Sequence, residues 1–199
     1  MLVAFVVLSA SCGGGQTTLS DYVESLETIF DRAETRYEAL LNTPGAMVLV
    51  VGQGAHFGFD TGGQELSDFT TQDLHVALEE LAALQDEVMA AAAEIDPPDE
   101  LAELHDLYFR RLPFEPLAAR AGSTESWEEL SSSPEMEAYR TALVADGEVC
   151  TEFQSTLDAT ADRGAFADSP WIPSRLKEIV DFALGCDAFP VDPGNVFRP

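Results

Sequence analysis

Residues 70–109 read TTQDLHVALEELAALQDEVMAAAAEIDPPDELAELHDLYF. Leu74, Leu78, Leu81, Leu84, Val88, Ala91 and Ile95 recur at steps of three and four, the period of a single helical face. Thr70 stands where an N-cap belongs, and Asp73 follows three residues later as its capping partner. The stripe predicts a helix of about 22 residues, roughly 33 Å long at helical rise. Asp96-Pro97-Pro98-Asp99 ends it, because proline cannot donate within a helix and restricts the residue before it, yet suits the first turn of the next helix. Leu101, Leu104, Leu107, Tyr108 and Leu112 then mark a second helix that stops at Pro113 and folds back antiparallel on the first.

Working outward, Tyr22, Leu26, Ile29, Ala33, Tyr37 and Leu40 predict an amphipathic helix over residues 20–41, broken at Pro44 and Gly45. Between these helices lie the apolar run Met47 to Val51 and a cluster of glycines up to Gly63, which read as a strand, hairpin or apolar loop plugging one end of a bundle. Its Gly-x-Gly is no dinucleotide fingerprint, since Phe57 stands where a third glycine should and no βαβ unit follows. Residues 113–133 read as a looser connection with a short turn around Trp127 to Leu130. Ser133-Pro134-Glu135 opens a long helix that keeps its stripe to about residue 162, with Gly147 as a candidate bend and Gly164 as terminator. A last helix is expected over residues 173–184. The fold class is all-α, a helical bundle of four principal helices plus a shorter one, with an apolar Gly-rich insert between the first two.

Charge narrows the partners. The chain has 199 residues, 46% of them apolar, enough for one folded domain. Its 36 acidic residues stand against 10 basic ones, a formal net charge of −26, and Lys177 is the only lysine. No basic stripe is available to displace counterions from nucleic-acid phosphates or to dock on anionic lipid head groups. Between Arg36 and Arg110 no Lys or Arg occurs, while 15 acids do. That stretch reads either as a solvated, salt-adapted face or as a surface that attracts cations or a basic partner.

The chain opens MLVAFVVLSASC, nine apolar or small residues from Leu2 to Ala10 leading to Cys12, with Gly13, Gly14 and Gly15 behind it. Nine residues are too few for a membrane-spanning helix, which needs about 20, but suit the apolar core of an export signal. The pattern resembles the lipobox of bacterial lipoproteins, although Ser9 replaces the usual aliphatic residue and no Lys or Arg precedes the run. With the stretch LSDYVESLETIF (residues 19–30) and the turn DPPDELAELHDLYF (residues 96–109), it is similar to the helical lipoproteins of high-GC bacteria. The resemblance implies lipidation at Cys12, export and a bundle, and brings no catalytic residues. Residues 1–11 are then an export signal, 12–19 a tether and 20–199 a single helical domain. Lipidation of Cys12 leaves Cys150 and Cys186 as an even pair, expected to form a disulfide across a loop of about 37 residues.

Chemistry-bearing patterns are sparse. His75 and Glu79 share a helical face and His105 lies on the next helix with Glu103 and Asp106; these are the candidate metal ligands or acid–base groups. An offset of about 14 residues, roughly 20 Å at helical rise, separates the two histidines along the expected hairpin. Gln53, Gln72 and Ala102 stand where a di-iron Glu-x-x-His motif needs Glu, and neither HExxH nor GxSxG occurs. Tyr22, Phe109, Phe114, Trp127 and Trp171 read as core or loop anchors before a ligand cage. The expectation is a membrane-anchored extracytoplasmic lipoprotein acting as a binding or interaction module for a protein or small ligand, without cofactor or nucleic acid, attached to the membrane only by lipid. A metal- or substrate-handling extracytoplasmic enzyme is the alternative, and a purely structural envelope role also fits.

Overall fold

A computed structural model of the chain describes residues 17–57, 61–184 and 196–198. The expected signal segment, Cys12 and Cys186 lie outside the described residues. All regular structure among the described residues is helical, with eight α-helices and no strand. Helix α1 (Leu19–Leu41) begins at Thr18, whose hydroxyl accepts from the Asp21 amide. It buries Tyr22, Val23, Leu26, Phe30 and Ala33.

The insert is a helix rather than a strand, hairpin or loop. A turn of 3-10 helix over Pro44–Ala46 leads straight into α2 (Met47–Phe57), which buries Val48 and Leu49. A short unbroken apolar run has no period, so a buried helix and a buried strand read alike; Pro44 in the first turn starts the helical path.

Helix α3 (Thr71–Ala92) carries the expected capping box, with Thr70 accepting from the Asp73 amide and Asp73 from that of Thr70. Leu74, Ala77, Leu78 and Leu81 are buried, whereas Leu84, Val88 and Ala91 farther along are only half-buried. The helix expected over residues 98–112 is shorter: one 3-10 turn (Asp99–Leu101), then α4 (Ala102–Tyr108), ending at Phe109. It does not fold back along α3 as the hairpin reading required; it packs on α7 (Pro134–Asp162) and α8 (Ile172–Leu184), because Leu101 and Leu104 are buried there.

The partner of α3 is α5 (Phe114–Gly122), which the sequence presents as loose connection. Gln85 sets it in place by donating to the Leu112 carbonyl at 3.1 Å and accepting from the Leu112 amide at 2.7 Å. Helix α6 (Trp127–Ser131) confirms the expected short turn. Ser133 caps α7, which runs through Gly147 without a break and ends before Gly164 at φ +82°.

Two hydrophobic clusters result. The first gathers α2, α3, α5, α6 and the front of α7, together with Val196 and Phe197. The second gathers the front of α1, Leu101, Leu104, the back of α7 and α8. Helices α1 and α7 run through both, since Tyr37 and Leu40 also pack on the first cluster.

Candidate functional site

The candidate ligands His75, Glu79 and His105 are not brought together. His75 Nδ1 donates to the Ala118 carbonyl at 2.9 Å and its Nε2 lies 3.5 Å from Glu79. A Cβ on Gly122 would stand 3.1 Å from the ring, so this histidine pins α5 to α3. His105 belongs to the other cluster, its Nδ1 hydrogen-bonded to the Tyr22 hydroxyl at 3.0 Å and its ring 4.7 Å from that of Phe109. Burial lowers its pKa, against an opposing pull from Asp106, which favours the neutral ring. Burial, and then the charge of Asp106, also push the Tyr22 hydroxyl far above its ordinary value. Neutral His and neutral Tyr make a hydrogen-bonded pair suited to holding α4 on α1. Among the described residues no group of three or more His, Cys, Asp or Glu side chains is placed to hold a metal ion.

A buried carboxylate marks the passage of α7 between the clusters. Asp146 is 7% exposed, with Arg110 at 3.6 Å. Burial pushes its pKa up from 3.8 to about 6, even though the guanidinium pulls the other way. On the first cluster, Tyr139 accepts from Gln53 Nε2 at 2.7 Å, which ties α7 to α2.

The densest polar and aromatic convergence lies where Val196–Arg198 crosses α2, α6 and α7. Arg140 is 5% exposed on the inward face of α7, between Met136 and Leu143. Its Nε and Nη2 donate to the Val196 carbonyl at 3.0 and 2.9 Å, while Nη1 and Nη2 donate to the Ser131 carbonyl and hydroxyl at 2.7 and 2.9 Å. The Phe197 ring stacks on Trp127 with centroids 6.5 Å apart and packs against Tyr139 at 6.3 Å. Trp127 Nε1 in turn donates to the Phe69 carbonyl at 2.8 Å, fixing the indole. The Phe197 amide donates to the Gly52 carbonyl at 2.9 Å, and a Cβ on Gly52 would stand 2.0 Å from the Phe197 ring. Glycine at 52 is therefore what lets the aromatic ring lie against α2.

Sequence reading named Trp127 as an anchor and missed Gly52, Tyr139, Arg140 and Phe197 as one assembly. The signal available was Arg140 itself, an arginine at an inward position of an apolar helical stripe, which needs buried acceptors. Of the aromatic anchors, Tyr22 and Phe114 are buried and Trp171 is 48% exposed. No protein-family model, curated protein or solved structure matches this chain in the comparisons made with known proteins.

Proposed function

We propose that the chain is a membrane-anchored extracytoplasmic lipoprotein whose helical domain is a binding or interaction module. The observation that carries this reading is the junction at its front: Cys12 and the three glycines are followed, after Gln16 and Thr17, by Thr18, whose side chain closes the N-terminus of α1. A lipid on Cys12 would tether the helical domain to the membrane a few residues ahead of α1. Among the described residues no helix is long and apolar enough to cross a membrane. The acidic surface supports a lipid rather than an electrostatic hold, because it repels anionic head groups.

An oxidising compartment implies a Cys150–Cys186 disulfide. Its support is that Cys150 sits on α7, that α7 packs on α8, and that Cys186 follows α8 by two residues.

The test of anchoring is Cys12→Ala in the native host, followed by membrane fractionation and mass measurement of the mature N-terminus. The expected result is a lipidated, membrane-bound wild type and an unlipidated variant released from the membrane. Equal partitioning and an unmodified cysteine in the wild type would overturn the reading.

A further inference from the structure

The helical domain contains a socket that its own chain fills. Its floor is Gly52, its walls are the Trp127 and Tyr139 rings, and its polar edge is Arg140. The occupant is held by its backbone and one ring. The Phe197 amide and the Val196 carbonyl each meet a matched partner, and Phe197 fills the aromatic slot. Arg140 is anchored independently on Ser131, so its remaining donors stay aimed at the socket whichever segment lies there. Backbone hydrogen bonds beside a deep side-chain anchor are the means by which grooves recognise extended peptides.

One feature works against permanent seating. Phe197 sits at φ +53°, a left-handed conformation that a bulky side chain adopts at a cost. Beside Phe197 a shallow depression of about 390 Å³, lined by Glu128, Ser131, Ser132, Glu137, Arg140 and Arg198, brings solvent to the edge of the contact.

We infer that this socket is a binding site for a peptide segment of a partner protein bearing an apolar residue followed by an aromatic one and then a basic one, and that Val196–Arg198 is its intramolecular competitor. The preference for a basic flank follows from Glu128 and Glu137 at the rim and from the net charge of −26, which steers cationic segments toward the domain. The inference rests on the reading of the domain as an interaction module, and names the site by which it would act.

The test uses the full chain with Trp171→Phe, which removes the exposed indole and leaves Trp127 as the sole tryptophan reporter. The probe is the acetylated, amidated pentapeptide Asn-Val-Phe-Arg-Pro, with Asn-Val-Ala-Arg-Pro as control. A saturable change in Trp127 emission is expected with the first peptide only. Binding should be at least about tenfold tighter when Phe197→Ala vacates the slot, because the self-occupied fraction no longer reduces apparent affinity. Gly52→Ala should abolish it by placing a methyl group in the ring's path. No saturable change in a folded Phe197→Ala chain, or equal binding by Gly52→Ala, would overturn the inference. If Phe197→Ala fails to fold, native-state hydrogen exchange of the unaltered chain decides. The Phe197 amide should open at least about tenfold more readily than the α7 amides around Tyr139, and exchange only with global unfolding would make it a permanent plug. Anchoring is read separately: a chain that takes the peptide yet stays off the membrane sinks only the lipoprotein reading, and an anchored chain that ignores the peptide sinks only the socket.

Discussion

The two hydrophobic clusters are built from different materials. The second rests on α1, the back of α7 and α8, helices whose apolar stripes are regular, with Leu101 and Leu104 added by the segment between α3 and α5. The first has one long helix of its own, α3, and otherwise joins α2, α5 and α6, none longer than 11 residues, to the front of α7 and the Val196–Phe197 segment. Helices shorter than about 12–15 residues are marginal in water, so these pieces depend on one another for their structure. One cluster is assembled from elements that carry their own instructions, and the other from elements that acquire them on packing.

The largest effects should come from the centres of the two clusters. Leu117 is fully buried on the nine-residue α5 and Leu104 nearly so on the seven-residue α4. Either leucine replaced by alanine should cost about 2–5 kcal/mol. Urea unfolding followed by Trp127 fluorescence, in a Trp171→Phe background, and by circular dichroism should give one coincident transition, because α1 and α7 thread both clusters. Two separated transitions in Leu117→Ala would show that the second cluster stands without the first.

Next in size is the proposed Cys150–Cys186 bridge, which on the chain-entropy model is worth roughly 3–4 kcal/mol for its loop. Its loss on reduction should shift the single transition without dividing it. Two free thiols at these positions in oxidised protein, read by alkylation and mass, would remove the bridge from the account.

The same contrast explains what could be read in advance. Thr70 with Asp73, Ser133 with Pro134, and Gly164 are local signals, and each marks the helix end it was expected to mark. Helix α2 was ambiguous because Met47 to Val51 has no periodicity, and the one-sided burial of Val48, Leu49 and Gly52 that marks it as a helix is visible only in the fold. Helix α5 was hidden because it spans only nine residues, with Phe114, Leu117, Ala118 and Ala121 as its stripe, and it is held by His75 and Gln85 from α3. The hairpin expected at Pro97 and Pro98 failed because α3 already stops at Ala92, leaving Ile95 outside it, and the burial of Leu101 and Leu104 sets the direction of the next helix. The socket is the extreme case. Gly52, Trp127, Arg140 and Phe197 come from four separate segments, and no spacing rule links them.

Where α7 passes between the clusters, pH offers a finer probe. Asp146 titrates at about 6 in the fold against an ordinary 3.8, so the folded chain holds this proton more tightly than the unfolded one. Its contribution is fully present below about 3.8 and is lost as pH rises through about 6. His105 in the second cluster runs the other way. Its folded pKa is lowered, so stability falls as pH drops below the ordinary 6.5, where the unfolded chain takes up the proton first. Asp146→Asn should therefore stabilise the protein by about 1 kcal/mol at pH 7, after allowance for the lost Arg110 pair, and the gain should vanish near pH 4. A gain independent of pH would mean that the amide acts through its own hydrogen bonding or packing, rather than through the loss of ionisation.

The smallest effect is expected on the face of α3 that neither cluster covers. Arg36 reaches from α1 to Glu87 and Glu80, and Arg111 reaches back to Asp86, so cations at the two borders of the lysine- and arginine-free stretch clamp its acids. Burial is nearly spent on this half of the helix, which leaves charge to hold it. Surface pairs of this kind contribute little, and salt screens them within about 10 Å at 0.1 M. The same screening relieves self-repulsion among 36 acids set against 10 basic residues, and that relief acts over the whole surface rather than at two clamps. The wild type should accordingly melt higher in 1 M sodium chloride than in dilute buffer, the opposite of what the clamps alone would give. Arg36→Gln should lower the melting temperature slightly in dilute buffer and leave it unchanged in 1 M salt. If added salt lowers the wild-type melting temperature, local pairing outweighs global repulsion, and the outer half of α3 is held by its clamps more firmly than its exposure suggests.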